Sequence, residues 1–578
     1  MMIRKVIQLW ILVLWGFFML PTDARRSANI CRDKSLAEEE PIADADIIVI
    51  GSGPGGTGFL YRFIQKRPNM SVLWIEKGRD FLARNWPKDI LDVDAEILSP
   101  IPRLNKKLRG YAWNNYGGGD SGNSGGPNYL GLQRPLQEPY QPVDVLSLRN
   151  HSIIPNTTTT RRWIEAFSKA GYDYRGPIYS RQLSEGNGTI GLVSSLRTSN
   201  GRERLLLADD IRYNTDNNVT FVHARVTSII HDKNPNKEGP LRMIGVRGVR
   251  IAGDQSEYGG CVTWKAHKAV ILAGGVFNSF DILVESGLGP QEALDIREVP
   301  KEWRYPNEQV GKGIGDEFPM VYVSVEPEKQ DQFGAEPRLA ADTPVNGTDA
   351  SYEMWSHGIF AWLRLENPFY NNLLGSFIPK RFPGLNFLIR KIVDRASMFS
   401  VSVFVEPNMS LIATKKPQNA TSSPNNPLGM KLNDTMINIT DEMCMNYTKS
   451  LEPFKEGAKL QKQAPKKPSF ARFVFALTSK LGITKILQPN PITAQNIHRF
   501  TGKGKNKGRR CRMSQVASYY HFYGGNAYAV NASSYIMKDT QNLYISDASI
   551  IKHLAVGGPS SVVFEQGMKV ADVVNANL

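Results

Sequence analysis

Hydrophobic and polar positions along the chain change period several times, and each change marks a different kind of element. Ile47-Ile48-Val49-Ile50 is a short unbroken run of β-branched residues, the pattern of a strand buried on both faces. A glycine-rich turn follows. The stretch from Thr57 to Gln65 then predicts a helix, and Ser71-Val-Leu-Trp-Ile75 predicts a second buried strand ending at Glu76. Strand-like patterns return in Val219–Val226, Met243–Ile251 and Ala269–Leu272. Beyond Pro319, segments beginning at Met320, Gly358 and Met398 alternate with period two, which predicts an antiparallel sheet with one face covered. Pro135 to Tyr179 reads as irregular, residues 407 to 470 as a long polar surface excursion, and Ser560 to Asn575 as a closing helix.

The first apolar run is of another kind. Basic Arg4 and Lys5 precede fifteen largely apolar residues, Val6 to Leu20, and small residues follow up to Ala24. Residues 1–24 thus have the form of a secretory signal peptide, and an uncleaved signal anchor fits the same residues. No other run is long and apolar enough to cross a bilayer. Twelve N-x-S/T sequons, crowded between Asn408 and Asn446, agree with a secreted, glycosylated chain in the extracellular space or the lumen of the secretory pathway. Four cysteines, Cys31, Cys261, Cys444 and Cys511, allow at most two bridges in three connectivities. None has metal-ligand spacing, so no metal site is expected.

Composition adds bounds. With 578 residues, 41% hydrophobic and 22% charged, the chain is ordinary globular protein, long enough for several domains or for one discontinuous two-domain enzyme. The net charge of +15 is uneven, since Arg499–Arg512 carries seven basic residues and no acid. That stretch reads as a contact for anionic glycans, an anionic surface or a redox partner, or as a solvated loop between domains, which is the favoured reading. A nucleic-acid partner is disfavoured by the secretory signal and by the absence of interleaved aromatics.

The chemistry begins at the first turn. Gly51-Ser-Gly53-Pro-Gly-Gly56 is a G-x-G-x-x-G pattern placed between strand and helix, with Glu76 at the tip of the next strand. The first glycine permits the tight turn, the second lets a diphosphate approach the backbone, and the third lets helix pack on strand. The helix N-terminus offers free N–H groups to the phosphates, and the carboxylate accepts from a ribose. Strand, glycines, helix, strand and acid in this order predict a dinucleotide site.

Five blocks in order resemble the glucose–methanol–choline (GMC) flavoprotein oxidoreductases over nearly the whole chain after Asp44. They are Asp46–Gly78, the glycine-rich Gly117–Gly125, Ala224–Ile229, Ala269–Pro290 with Val310–Asp316 after it, and Tyr519–Gly525 with Asn542–Ser549. The C-terminal block looks closest to the flavin domain of cellobiose dehydrogenases. The resemblance implies FAD as cofactor and an α/β fold, α+β overall. It implies a Rossmann-like FAD-binding domain assembled from discontinuous segments, 44–135, 185–318 and 513–578, plus an inserted antiparallel-sheet substrate domain, 136–184 and 319–512. Gly51, Gly53, Gly56, Glu76, Gly118, Asn123, Val226, Asp547, Ala548 and Pro559 are the implied cofactor residues. His521 stands at the position of the base that takes a hydroxyl proton, and Gly558 at the position of its polar partner.

Departures from the family pattern bear on activity. Family members place Asn or His where Gly558 stands, and glycine can neither donate nor accept through a side chain. Asp120 occupies a usual Ser or Thr position near a phosphate, and Asn278-Ser279 replaces a usual Ser-Pro. His553, five positions before Gly558, reads either as a group reaching into the site in its place or as a loop residue, which is the favoured reading. Two functions follow. One is a secreted FAD enzyme oxidising an alcohol or sugar hydroxyl and passing electrons to oxygen, a quinone or a redox protein. The other is a flavoprotein of GMC origin with lost or altered redox activity, a lyase or a flavin-bound binding protein.

Overall fold

The β-branched run after Asp44 forms the centre of a parallel sheet. The structure, a computed structural model, describes residues 31, 42–77, 158–177, 189–193, 211, 218–232, 239–251, 257–325, 338–345, 348–356, 396–404, 409–415, 430–432, 452–463, 485–487, 521–552 and 560–578. The first unit is β1 (Ala43–Ile50), α1 (Pro54–Lys66) and β2 (Val72–Glu76). Next come α2 (Thr158–Lys169), β3 (Asp173–Pro177) and β4 (Thr189–Val193). Three long strands, β5 (Val219–His231), β6 (Met243–Ile251) and β7 (Glu257–Leu272), precede α3 (Gly275–Glu285) and the short α4 (Gln291–Ile296). β8 (Lys312–Gly315) runs almost directly into β9 (Glu317–Val325), followed by β10 (Arg338–Val345), β11 (Thr348–Ser356) and β12 (Ala396–Phe404). β13 (Met409–Ala413), β14 (Met430–Leu432), α5 (Glu452–Gln463) and β15 (Lys485–Leu487) come next. Last are β16 (Tyr523–Gly525), β17 (Leu543–Ile545) and α6 (Ser560–Asn577).

The parallel strands lie side by side in the order β5–β2–β1–β7–β17. Two of them are shared. The first residues of β5 run parallel to β2 and the rest antiparallel to β6; β7 pairs first with β6 and then runs parallel to β1. Ile47–Ile50, Val72–Ile75 and Ala269–Leu272 are all buried, which explains their unbroken apolar runs. Helices α1 and α6 share this core through Phe59, Phe63, Phe564 and Met568. Their backbones approach closely because glycines stand at the crossing. A Cβ on Gly55 would lie 1.8 Å from the Ser546 carbonyl oxygen, and one on Gly567 2.2 Å from that of Gly55.

A second sheet has the order β15–β9–β12–β11–β10–β4–β3, antiparallel except where β15 and β3 join its edges. The alternating segments beginning at Met320 and Met398 are neighbours in it, with Met320 opposite Val401. The segment from Gly358 lies outside the described residues. A small third sheet has the order β14–β13–β8–β16.

Two sequence expectations are corrected. Residues 135–179 are not irregular throughout, because α2 and β3 lie there. Trp163 and Phe167, one helical turn apart, are buried against Phe454 of α5, with ring centroids at 6.2 and 6.4 Å. Residues 407–470 are not a surface excursion throughout, since Met409, Leu411, Ala413, Met430 and Phe454 are buried. Both segments are polar on average, and their short apolar sets are diluted by Pro, Lys and Thr. Of the three cysteine connectivities, the structure takes the one that joins Cys31 to Cys261, with Cα atoms 5.2 Å apart. Cys444, Cys511 and the segment 1–24 lie outside the described residues. Among the described residues no helix is long and apolar enough to cross a membrane.

The helix crossing generates a test. Gly567→Ala should lower the unfolding free energy by about 1–3 kcal/mol, as overpacking does. A denaturant midpoint equal to the parent's would show that α1 and α6 are not held at backbone contact.

Candidate functional site

The C-terminal edge of the parallel sheet gathers the glycine turn, Glu76 and Asp547. Gly51 takes a φ of +101°, and a Cβ there would lie 2.3 Å from the Ala273 carbonyl oxygen, so both conformation and space require glycine. The Trp74 indole N–H donates to the Gly51 carbonyl at 3.0 Å, and its ring meets Phe221 edge-on at 5.5 Å. Ser52 donates its amide (2.6 Å) and its hydroxyl (2.8 Å) to Oε2 of the buried Glu76. The carboxylate is thereby fixed against the turn. Helix α1 starts at Gly53 with no side-chain cap and with Pro54 in its first turn. Its N-terminal amides and positive dipole end are presented at this edge. Gly53 itself has φ −66° and ψ 178°, extended backbone that any residue adopts. Gly56 lets helix α1 approach the end of β1 closely: a Cβ there would lie 2.2 Å from the carbonyl oxygen of Gly51, the residue that follows β1.

The opposite side of the edge is built by Asp547, which follows β17. Its Oδ2 accepts from the Gly275 amide (2.9 Å) and the Ser279 hydroxyl (2.5 Å), and its Oδ1 from the Ser549 amide (2.8 Å). Burial pushes this carboxyl above its usual range, and the hydrogen bonds from Ser279, Ser549 and Gly275 oppose that rise. Ser279, one half of the Asn278-Ser279 departure, is therefore an anchor of the edge. Asn278 does a related job, donating to the Gly274 carbonyl at 3.0 Å and accepting from Lys77 Nζ at 2.8 Å. Lys77 thus spans from the end of β2 to the turn after β7, across β1.

His521 reaches this edge through a hydrogen-bonded chain. Ala548 begins a single 3-10 turn that ends at Ile550. The Asn526 amide donates to the Ser549 carbonyl (2.8 Å), and its side chain to the Ser549 hydroxyl (2.9 Å). Asn526 follows β16, and His521 stands two residues before that strand. The His521 amide donates to Oδ1 of the fully buried Asp316 at 3.1 Å. Phe522, next to it, packs edge-on to Phe277 of α3 at 5.0 Å.

Gly51, Gly53, Gly56 and Glu76 therefore form one cluster, and Asp547, Ala548 and His521 are joined to its far side. Val226 is buried on β5, three residues past the register of Glu76 with His223 and opposite Gly248 of β6. Gly118, Asp120, Asn123, His553, Gly558, Pro559 and Arg499–Arg512 lie outside the described residues. Sequence reasoning missed Ser52, Trp74, Lys77, Asp316 and Asn526. Ser52 and Trp74 carried a signal, since one sits inside the turn and the other shares a strand face with Glu76; Asp316 and Asn526 needed the tertiary structure. Among the described residues no group of three or more His, Cys, Asp or Glu could hold a metal ion. The donor set fits a dinucleotide instead, with an uncapped helix end for a diphosphate and a fixed carboxylate for a diol.

No protein-family model matches the sequence, and no curated protein matches it. Solved structures do. One formate oxidase is 14% identical with a TM-score of 0.57, covering 93% of this chain and 99% of its own. Pyridoxine 4-oxidase from Mesorbium loti is 14% identical with a TM-score of 0.54, covering 91% and 98%. An FAD-dependent oxidoreductase from Chaetomium thermophilum is 12% identical with a TM-score of 0.52, covering 92% and 99%. The chain has the fold of these oxidoreductases. The likeness spans both the parallel sheet and the antiparallel one, because nearly the full length of each protein is aligned.

The Asp547 cluster is testable by itself. Asp547→Asn replaces one acceptor oxygen by an NH₂ group that faces N–H and O–H donors. The variant should lose about 1–3 kcal/mol of unfolding free energy, read from denaturant midpoints. An unchanged midpoint would mean that the carboxylate does not hold the edge together.

Proposed function

We propose that the chain is a GMC-type FAD-dependent oxidoreductase that oxidises an alcohol or sugar hydroxyl. One observation carries the reading: within an oxidoreductase fold, the uncapped helix turn at Gly53, the fixed Glu76 and the His521 segment are tied to one sheet edge through Asp547, Ser549 and Asn526. The Gly53, Gly55 and Gly56 amides would hold the diphosphate, Glu76 a ribose, and Val226 the adenine region. When FAD is bound, the chemistry it supplies is hydride acceptance. The protein supplies position and proton traffic. Histidine suits the base, because its charge changes between about pH 5 and 8. Asp316 fixes the backbone at His521, so the imidazole is carried on a held segment rather than a free loop. The acceptor of the electrons is oxygen, a quinone or a redox protein.

A second reading rests on Gly558, which by the family resemblance stands at the position of the base's polar partner and has no polar side chain. Under it the chain keeps flavin and has lost or altered the redox step. We also propose secretion and glycosylation, supported by the apolar segment 6–20 and the sequons; Asn69, Asn218 and Asn531, the sequon asparagines among the described residues, are all exposed.

Three experiments test these readings. Purified protein should show flavin absorbance near about 450 nm, and Gly53→Val should remove the flavin while leaving thermal unfolding of the flavin-free protein near the parent's. The φ at Gly53 makes this a clean test of diphosphate approach, because valine adopts that backbone without strain. His521→Ala should keep the flavin and slow its bleaching by an alcohol by roughly 10²–10⁴-fold, the usual worth of a positioned base. Bleaching unaffected by that change overturns the base, and no bleaching by any alcohol, even in Gly558→Asn, selects the second reading. Protein from a secreting host should lose mass on glycan removal, and an unchanged mass would contradict secretion through the glycosylating route.

A further inference from the structure

His223 is the chemistry-bearing group at the sheet edge that the reading above does not use. In the parallel pairing of β2 with β5, Trp74 lies opposite Phe221 and Glu76 opposite His223. Side chains in register on neighbouring parallel strands share a face, so these are two successive rungs on one side of the sheet. The lower rung is closed by contact of the two aromatic rings at 5.5 Å. The upper rung pairs a carboxylate with an imidazole just where β5 leaves the parallel sheet. Ser52 engages Oε2 of Glu76. Nε2 of His223 is buried and, among the described residues, has no hydrogen-bond partner. A buried ring nitrogen without a partner is costly and calls for an explanation, and a ligand group is one.

We propose that His223 Nε2 hydrogen-bonds the ribose of the bound dinucleotide, so that Glu76 and His223 hold its vicinal diol from two adjacent strands. The inference rests on the FAD reading. It adds a residue that the glycine pattern does not contain. A ribose hydroxyl both donates and accepts, so either imidazole tautomer serves. The diol is then recognised by a carboxyl group on one strand and an imidazole ring on the next. Removing the hydroxyl that faces His223 leaves its buried ring nitrogen without a partner.

The experiment compares the parent protein with His223→Phe, which keeps a flat ring and removes the nitrogen. After flavin removal, each is titrated with FAD, with adenosine diphosphate, and with its 2′-deoxy and 3′-deoxy analogues. FAD should bind roughly three- to thirty-fold more weakly to His223→Phe, the range of one hydrogen bond to a buried partner. The parent should prefer the intact diol to at least one deoxy analogue, and the variant should lose that preference. The unliganded variant should unfold at the same temperature or higher, since an unpartnered buried nitrogen has gone. Equal FAD affinity in both proteins, or weakening that is the same for intact and deoxy ligands, overturns the proposal. If the parent binds no FAD but discriminates the diol of adenosine diphosphate through His223, the flavin reading fails and the ribose contact stands for another dinucleotide. If neither ligand binds the parent, both fail.

Discussion

One buried carboxylate holds the working edge of this molecule together. Asp547 takes the Gly275 amide and the Ser279 hydroxyl from the turn after β7 and the Ser549 amide from its own 3-10 turn. Those donors come from segments some 270 residues apart in sequence, with separations of 272 and 268. Ser549 in turn receives Asn526, and so the segment that carries His521. The glycine turn is bound to the same framework, because the Ala273 carbonyl fills the space that a Cβ on Gly51 would need. The edge is therefore a closed set of short contacts. None of its strands can shift alone without leaving a buried polar group unpaired.

Much of this was readable in the chain, and what was readable was local. Ile47–Ile50, the glycine turn and Ser71–Glu76 follow one another within a few residues, and their periods and turn chemistry allow few arrangements. The alternation around Met320 and Met398 likewise announced an antiparallel pair, which the structure forms as β9 and β12. Illegible were the parts whose meaning is tertiary. Trp163 and Phe167 sit in a segment of Arg, Thr and Ser and gain a purpose only when Phe454 arrives from α5. Asp316 and Asn526 look like ordinary polar residues until the backbone groups they serve are known. Asn278 and Ser279 looked like defects in a pattern, yet both bond at this edge, and Ser279 donates to Asp547 as the pattern's proline could not.

The shared strands join the parallel strands and β6 into one sheet. β5 and β7 each give one part of their length to the parallel sheet and the other to β6. The antiparallel layer is thus continuous covalently and by hydrogen bonds with the parallel one, with no linker between them. Val226 and His223 lie on the same strand either side of that change of partner. The bridge from Cys31 to Cys261 fastens a distant stretch of chain to β7, and the buried Arg247 guanidinium donates to the Cys31 carbonyl at 2.9 Å. Oxidation and sheet pairing act there on the same strands.

Asp316 alone separates β8 from β9. Strand β8 belongs to the small sheet with β16, whereas β9 lies in the seven-stranded sheet. The same residue accepts the backbone N–H of His521. Two sheets and the backbone that carries His521 therefore meet at a single residue, so a change at Asp316 alters the junction of the sheets and the support of the histidine together.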